Sequence, residues 1–320
     1  MAKNKKPILV TGGAGFIGSN LVERLLEEKE KVIVFDNLST GRIENIKNFQ
    51  GKPNFRFIKG DLNNQEDVER VVKEVDFIFH QAAIPSVARS ISDPKKTFEA
   101  NILGTLNLLI AARKHRIKKI IYASSSSIYG ETKILPKREE MPVNPLSPYA
   151  LSKYSGEKVC QFFSSLYNLP TLSLRYFNVF GPRQNPNSEY SAVIPKFIFS
   201  FLKNERPIIY GDGKQTRDFT FVGNVVEANL KALYSQSKEG DYFNIACGRQ
   251  TSLLELVEIL NKIFSKNLKP YFQKKRTGDV VNSFADIKKS KEILRYQPKV
   301  FLEKGLEETV KWFLNYENKN

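Results

Sequence analysis

The run Ile8-Leu9-Val10-Thr11-Gly12-Gly13-Ala14-Gly15-Phe16-Ile17-Gly18 constrains the fold of this chain more than any other. A short apolar stretch of β type leads into a glycine turn, after which Leu21, Val22, Leu25 and Leu26 recur at helical spacing. The glycines satisfy GxGxxG through Gly13, Gly15 and Gly18, and GxxGxxG through Gly12, Gly15 and Gly18. In the order strand, turn, helix, such a run lets the backbone turn tightly and approach a pyrophosphate. The phosphate charge then lies at the helix N-terminus, beside Gly12, Gly15, Phe16 and Ile17. Glycines alone also serve ordinary turns, so the reading depends on the elements that come after the first helix.

From there to Lys153, β and α segments alternate. A second strand, Lys31–Phe35, ends in Asp36 and Asn37, with Asp36 standing 18 residues after Gly18. An acidic residue there accepts hydrogen bonds from adenosine ribose hydroxyls and repels a 2′-phosphate, which favours NAD over NADP, although Arg42 nearby would suit the phosphate. A third strand, Phe55–Lys59, precedes Asp61-Leu62, where Asp61 can meet the adenine, cap the helix running through Val72, or do both. The fourth strand, Phe77–His80, runs into Gln81-Ala82-Ala83, small enough for the backbone to pack against a flat cofactor. His80, at a buried strand end, reads as a packed, hydrogen-bonded side chain and not as a base. A long helix then carries Asn101, with Phe98, Ile102, Leu106 and Leu109 on one face. The fifth strand, Lys119–Ala123, leads into Ser124-Ser125-Ser126-Ser127-Ile128-Tyr129-Gly130. This pattern implies an α/β fold, a doubly wound parallel sheet with ligand sites at the strand carboxyl ends.

Beyond Lys153 the order loosens. Leu172–Tyr176 reads as a sixth strand, Asn178–Glu189 is a Pro/Asn/Gly-rich loop, and a C-terminal helix is expected near Lys304–Phe313. The expected division is a dinucleotide-binding domain over 1–176 and, over 177–320, mainly a smaller substrate-binding lobe with segments returning to the sheet.

The chemistry is expected from Ser147-Pro148-Tyr149-Ala150-Leu151-Ser152-Lys153, which opens a helix. Tyr149 and Lys153 lie four apart and share a face. A phenol is a poor base at neutral pH, with an ordinary pKa of about 10, and a neighbouring ammonium lowers it. The formal charge of +16 raises the possibility of nucleic acid, yet the lysines are dispersed and mixed with glutamates, as in Lys288-Lys289-Ser290-Lys291-Glu292. The 41% hydrophobic content supports a core, and no apolar run approaches a membrane span. The glycine turn interrupts the first apolar run, so that run reads as a strand and not a signal peptide. Two cysteines without CxxC spacing and two histidines argue against a disulfide framework or zinc site, and fit a reducing cytoplasm.

With the glycine turn, Asp36, Ser125, Tyr149 and Lys153 in order, the chain resembles an extended short-chain dehydrogenase/reductase of Rossmann type with a smaller C-terminal substrate-binding lobe. It is most similar to UDP-sugar 4-epimerases, through TGGAGFIGSNL, HQAA, SSSSIYG, SPYALSK, LRYFNVFGPRQ, TRDFTFV and the RTGD segment. The resemblance implies that Tyr149, assisted by Lys153 and the nicotinamide charge, takes the proton from the sugar C4 hydroxyl while hydride passes to NAD. The 4-ketosugar then swings over and is reduced on its other face, with Ser125 and Ser126 at O4. It further implies that Asn178 and the Ala192-Val193 pair touch the nucleotide sugar. Arg217 and Arg276 would hold the diphosphate, with Asp279 anchoring the ribose or capping a turn. Related dehydratases and decarboxylases carry acidic residues after the hydroxyl residue, whereas Ser126 and Ser127 have no ionisable group, so simple epimerisation is expected. Relatives restricted to plain hexoses carry Tyr where this chain has Ser283, and the smaller residue leaves room for an N-acetyl group at sugar C2. Uronate-specific relatives carry Thr in place of Asn178. The expected reaction is therefore UDP-N-acetylglucosamine/UDP-N-acetylgalactosamine 4-epimerisation. UDP-glucose or UDP-glucuronate epimerisation and a non-catalytic NAD-binding sensor are the alternatives. The family also implies a homodimer packed through the helices around Phe98–Leu109 and Tyr154–Tyr167.

Overall fold

The computed structural model of the chain describes residues 6–185, 192–274 and 282–317. Its centre is a parallel sheet of β1 (Ile8–Thr11), β2 (Val32–Asp36), β3 (Phe55–Lys59), β4 (Phe77–His80), β5 (Lys119–Ser125), β6 (Thr171–Tyr176) and a seventh strand, Tyr242–Ile245. The spatial order is β3-β2-β1-β4-β5-β6 followed by Tyr242–Ile245, so the winding reverses between β1 and β4. β1 pairs with both β2 and β4 (Thr11 opposite Phe35 and opposite His80), which brings the carboxyl ends of all three to one edge. A crevice outside that edge, at the reversal, is where open α/β sheets take their ligands.

The inner strands β1, β2 and β4 are almost wholly apolar because both faces are covered, whereas the edge strand β3 carries the exposed Arg56 and Lys59. Successive residues point to opposite sides. Val10, Val34, Phe79 and Ile121 enter one core with Leu21, Val22 and Leu25 of α1 (Phe16–Glu27). Leu9, Ile33, Ile78 and Ile120 enter the other with Val68, Val71 and Val72 of α2 (Gln65–Val72). A third core, built on Phe180, Phe197, Phe201, Phe221, Leu256 and Phe313, belongs to the later part of the chain and also contacts Phe16 and Ile17 of α1.

Two local expectations change. The helix after β4 is not one smooth rod: α3 (Val87–Ser92) and α4 (Pro94–Phe98) are followed by a π-turn, Glu99–Leu103, and then α5 (Gly104–Lys114). The wider turn moves the face, so Asn101, Thr105, Leu108 and Ala112 are buried while Phe98, Ile102 and Leu106 are half-buried. The helix through Val72 is capped by Asn64, whose side chain accepts from the Glu66 and Asp67 N–H groups. Asp61 does not cap it. Its carboxylate instead accepts from the Asn63 N–H at 2.9 Å and from Asn37 Nδ2 at 2.8 Å.

Candidate functional site

The glycine turn forms a cradle that side chains would fill. Gly12 adopts φ +67°, and a Cβ there would stand 2.6 Å from the Ala82 backbone after β4; a Cβ on Gly18 would stand 2.2 Å from the Gly12 carbonyl oxygen. Gly15 begins α1 with no side-chain cap and no acidic residue in the first turn, so its N–H groups and dipole suit an anion. At the end of β2, Asp36 accepts from the Ala14 N–H at 3.0 Å and the Leu38 N–H at 2.8 Å. Burial raises its pKa, opposed by those two bonds. Next to it, Asn37 and Asp61 are joined, while Leu62 is buried below and accepts from Asn107 Nδ2 through its carbonyl. Gln81 turns its amide toward the Tyr176 hydroxyl and Asn229 Oδ1, both at 3.1 Å, while Ala82 packs against Gly12 and Ala83 follows it in the chain. These residues fit a dinucleotide: a steric cradle, an uncapped helix start and a carboxylate at the second strand.

Tyr149 and Lys153 lie one turn apart on α6 (Pro148–Tyr167), which Ser147 caps by accepting from the Ala150 N–H. The Ser90 hydroxyl accepts from the Tyr149 N–H at 3.0 Å. Asn101 Nδ2 donates to the Ser152 hydroxyl, which donates to the Tyr149 carbonyl at 2.8 Å. The π-turn thus places Asn101 as a brace: its Oδ1 also accepts from the Ile84 N–H, and its main chain accepts from Thr105. His80 is part of the same scaffold. The Thr105 hydroxyl donates to the Asn101 carbonyl, so His80 Nε2–H donates to Thr105 and His80 Nδ1 accepts from Thr11 at 2.7 Å. Burial takes His80 down to about 3, leaving a neutral ring with both nitrogens occupied.

The electrostatics of Tyr149 differ from the expectation. Burial raises its pKa, and the hydrogen bond with Ser125 works against that rise. Lys153 does not supply the lowering, because its ammonium is directed to the Ala123 carbonyl at 2.8 Å and burial takes it down to about 7. Ser125 caps the 3₁₀ turn Ser126–Tyr129 and accepts from both the N–H and the hydroxyl of Ser127, the latter at 2.9 Å. Its own proton is thereby free to go to the Tyr149 oxygen.

The later part of the chain brings Arg217, Asn178 and Ser283 together. Asn178, at φ +35°, donates through Nδ2 to the Asp218 carbonyl, and its own carbonyl accepts from the Thr220 N–H. The Ser283 N–H donates to the Thr216 carbonyl at 3.0 Å, and Asn282 bonds Thr216 on the same short ladder. Ser283 is 6% exposed. Ala192 precedes the helix Val193–Leu202, which it starts without a side-chain cap. Arg276 and Asp279 lie outside the described residues.

Asp218, Ser90 and Ser152 are supporting residues that sequence reasoning did not single out. Asp218 is fully buried, accepts from the Cys247, Gly248 and Ala285 N–H groups, and is pushed by burial up to about 6. Its only sequence signal is adjacency to Arg217 in TRDFTFV.

Over residues 8–246 the chain matches the NAD dependent epimerase/dehydratase family. It is 39% identical over 310 residues to the UDP-glucose 4-epimerase of Mycolicibacterium smegmatis, covering 96% of this chain and 98% of that one. It superposes with a TM-score of 0.93 and 40% identity on the UDP-N-acetylglucosamine 4-epimerase of Methanobrevibacter ruminantium, solved with UDP-N-acetylmuramic acid, over 98% of this chain and 99% of that one. The UDP-glucose 4-epimerase of Thermus thermophilus, a complex with NAD, gives a TM-score of 0.87 at 37% identity, over 96% and 99%. NAD is the cofactor of this family, and the cradle's residues fit a dinucleotide. A glycine cradle beside a strand-end carboxylate, a Ser125–Tyr149 pair over Lys153 and a match running through both make this chain a member of the NAD dependent epimerase/dehydratase family.

Proposed function

We propose that this chain interconverts UDP-N-acetylglucosamine and UDP-N-acetylgalactosamine by inverting C4 of the bound sugar. It is an NAD-dependent UDP-sugar 4-epimerase, and the finer assignment rests on Ser283. That small side chain is buried beside the ladder carrying Arg217, where an aromatic ring would fill the space needed by a C2 acetamido group. The name of the Methanobrevibacter ruminantium neighbour supports the same reading. On this reading residues 1–176 hold NAD and 177–320 supply most contacts to the sugar nucleotide.

The chemistry that NAD supplies when bound is reversible hydride transfer at C4. This chain's residues handle the proton and the geometry. Tyr149 receives the O4 proton and later returns it. Ser125, with Ser127 behind it, orients the phenol and O4. Lys153 stands at the edge of ionisation near neutral pH, held at the Ala123 carbonyl. Tyr149 would hold its phenol oxygen toward O4, where a bound nicotinamide's charge would lower the phenol pKa beyond what Lys153 provides. Arg217 pairs with the diphosphate, for which a guanidinium fork is well shaped, and Asn178 reaches the diphosphate or sugar. By the same analogy Ala192 and Val193 line the uridine, while Arg276 and Asp279 complete the diphosphate and ribose contacts.

Proton NMR of the purified protein with UDP-N-acetylglucosamine tests this, and the galacto epimer is the expected product. The Ser283→Tyr variant is expected to lose that conversion by at least about tenfold while keeping UDP-glucose turnover, the scale of a shape change in a substrate pocket. Conversion of UDP-glucose alone by the unmodified protein would overturn the N-acetyl assignment.

The proposal extends to a homodimer. Leu103 and Ile110 around α5, and Leu151, Phe162 and Leu166 on α6, are between 40% and 66% exposed on two adjacent helices. A second copy covering this face would bury it symmetrically. Sedimentation velocity should give twice the chain mass, and a monomer at micromolar concentration would refute the pairing.

A further inference from the structure

The segment after β2 ties both halves of the cofactor cradle together. It lies over the Asp36 carboxylate, since a Cβ on Gly41 would stand 2.9 Å from both carboxylate oxygens. It also enters the glycine turn: the Arg42 N–H and Asn45 Nδ2 both donate to the Ala14 carbonyl, at 3.0 and 2.9 Å. The segment therefore bridges the Asp36 carboxylate and the start of α1.

The outer hold on the segment comes from the far end of the chain. Arg42 Nη2 donates to the Tyr316 hydroxyl at 2.5 Å, and the guanidinium lies 5.4 Å from that ring's centroid. Tyr316 stacks on Trp312, with centroids 5.2 Å apart and planes 17° from parallel. Trp312 meets Phe313 edge-on at 5.1 Å, and Phe313 is 1% exposed in the core shared with Phe180 and Phe221. Both aromatic residues lie on the C-terminal helix Leu302–Glu317. That helix therefore belongs to the substrate lobe by its buried face and grips the cofactor segment by its last turns. Arg42 is engaged by Tyr316 and, at 3.5 Å, by Glu44, and so is committed away from a 2′-phosphate role.

We infer that Arg42, Tyr316 and Trp312 form a latch that sets how slowly NAD leaves this protein. They are positioning residues, acting on the cofactor only through the segment that covers Asp36 and bonds Ala14. The inference rests on the cradle being the NAD site and is independent of which UDP-sugar is epimerised. It matters for an epimerase because the hydride must return to the same sugar, so a cofactor lost mid-cycle ends the turnover.

The test is made on the NAD-loaded protein without UDP-sugar, by chasing bound NAD with excess isotopically labelled NAD. Tyr316→Ala and Trp312→Ala should each speed exchange about tenfold, the scale of one lost stacking or cation–π contact with its hydrogen bond. Tyr316→Phe, which keeps the stack and the fold, should fall between these and the unmodified protein. Whatever the midpoint of each NAD-stripped variant, the rise in that midpoint on adding NAD should be smaller than in the unmodified protein, which a merely structural role would not produce. Trp312 is the sole tryptophan in the chain, so its emission should relax at the rate at which NAD is lost. Unchanged exchange in both alanine variants overturns the latch. Faster exchange in Arg42→Met alone also overturns it, since that assigns the effect to the arginine charge.

Discussion

Replacing Tyr149 by phenylalanine is expected to lower epimerase turnover about a thousandfold, within the range that positioned acid–base groups contribute, while NAD and UDP remain bound. The loss should be this large because no neighbour can take over the proton. His80 is neutral and its nitrogens are engaged by Thr11 and Thr105. The Lys153 ammonium is directed to the Ala123 carbonyl. Ser125 can relay a proton but has no base behind it other than Tyr149, since Ser127 already donates to it. Turnover by a coupled assay, bound NAD after gel filtration and UDP affinity together check this. A loss below tenfold with cofactor retained would move the base elsewhere.

The one-turn spacing of Tyr149 and Lys153 and the glycine turn were legible because each depends on local spacing. β3 and β4 run as the sequence predicts, and β1, β2, β5 and β6 agree to within one or two residues, since continuous apolar runs between helices leave little choice of register. The features that escaped depend on a partner across space. The π-turn at Glu99–Leu103 cannot be read from a helical pattern that looks regular, yet it is what turns Asn101 inward to Ser152. Asp61 and Asn64 are both good cap residues, and only the Asn37 amide near Asp61 decides between them. A Tyr–Lys pair one turn apart predicts a lowered phenol pKa, but the depth of burial and the Ala123 carbonyl reverse the outcome. Tyr242–Ile245 looks like one short apolar stretch among several until it pairs with β6. Arg42 is 274 residues from Tyr316, beyond any pattern the chain displays locally.

The largest effect on stability is expected from Arg175→Met. Arg175 and Glu157 form a buried pair, 3% and 0% exposed by side chain, with Nη2 and Nε donating at 2.6 and 3.0 Å. Glu157 stands one turn beyond Lys153 on α6 and accepts from the Ser124 hydroxyl at 2.8 Å, next to Ser125 in the chain. Arg175, on β6, also donates to the Tyr129 hydroxyl, which in turn donates to Asn244 Oδ1 on the seventh strand. One ion pair therefore fixes α6, the serine turn and the edge of the sheet to one another. Removing the guanidinium leaves a carboxylate in a dry interior with one hydroxyl partner, and breaking such pairs costs about 3–5 kcal/mol. Set against a domain stability of about 5–15 kcal/mol, the urea midpoint should fall sharply with little change in slope. Adding Glu157→Gln should recover part of the loss, because a neutral amide can still accept from Ser124 without an unpaired charge. A single variant within about 1 kcal/mol of the parent would show that water or a neighbouring group reaches Glu157, and the pair would then be a surface-like contact of small value.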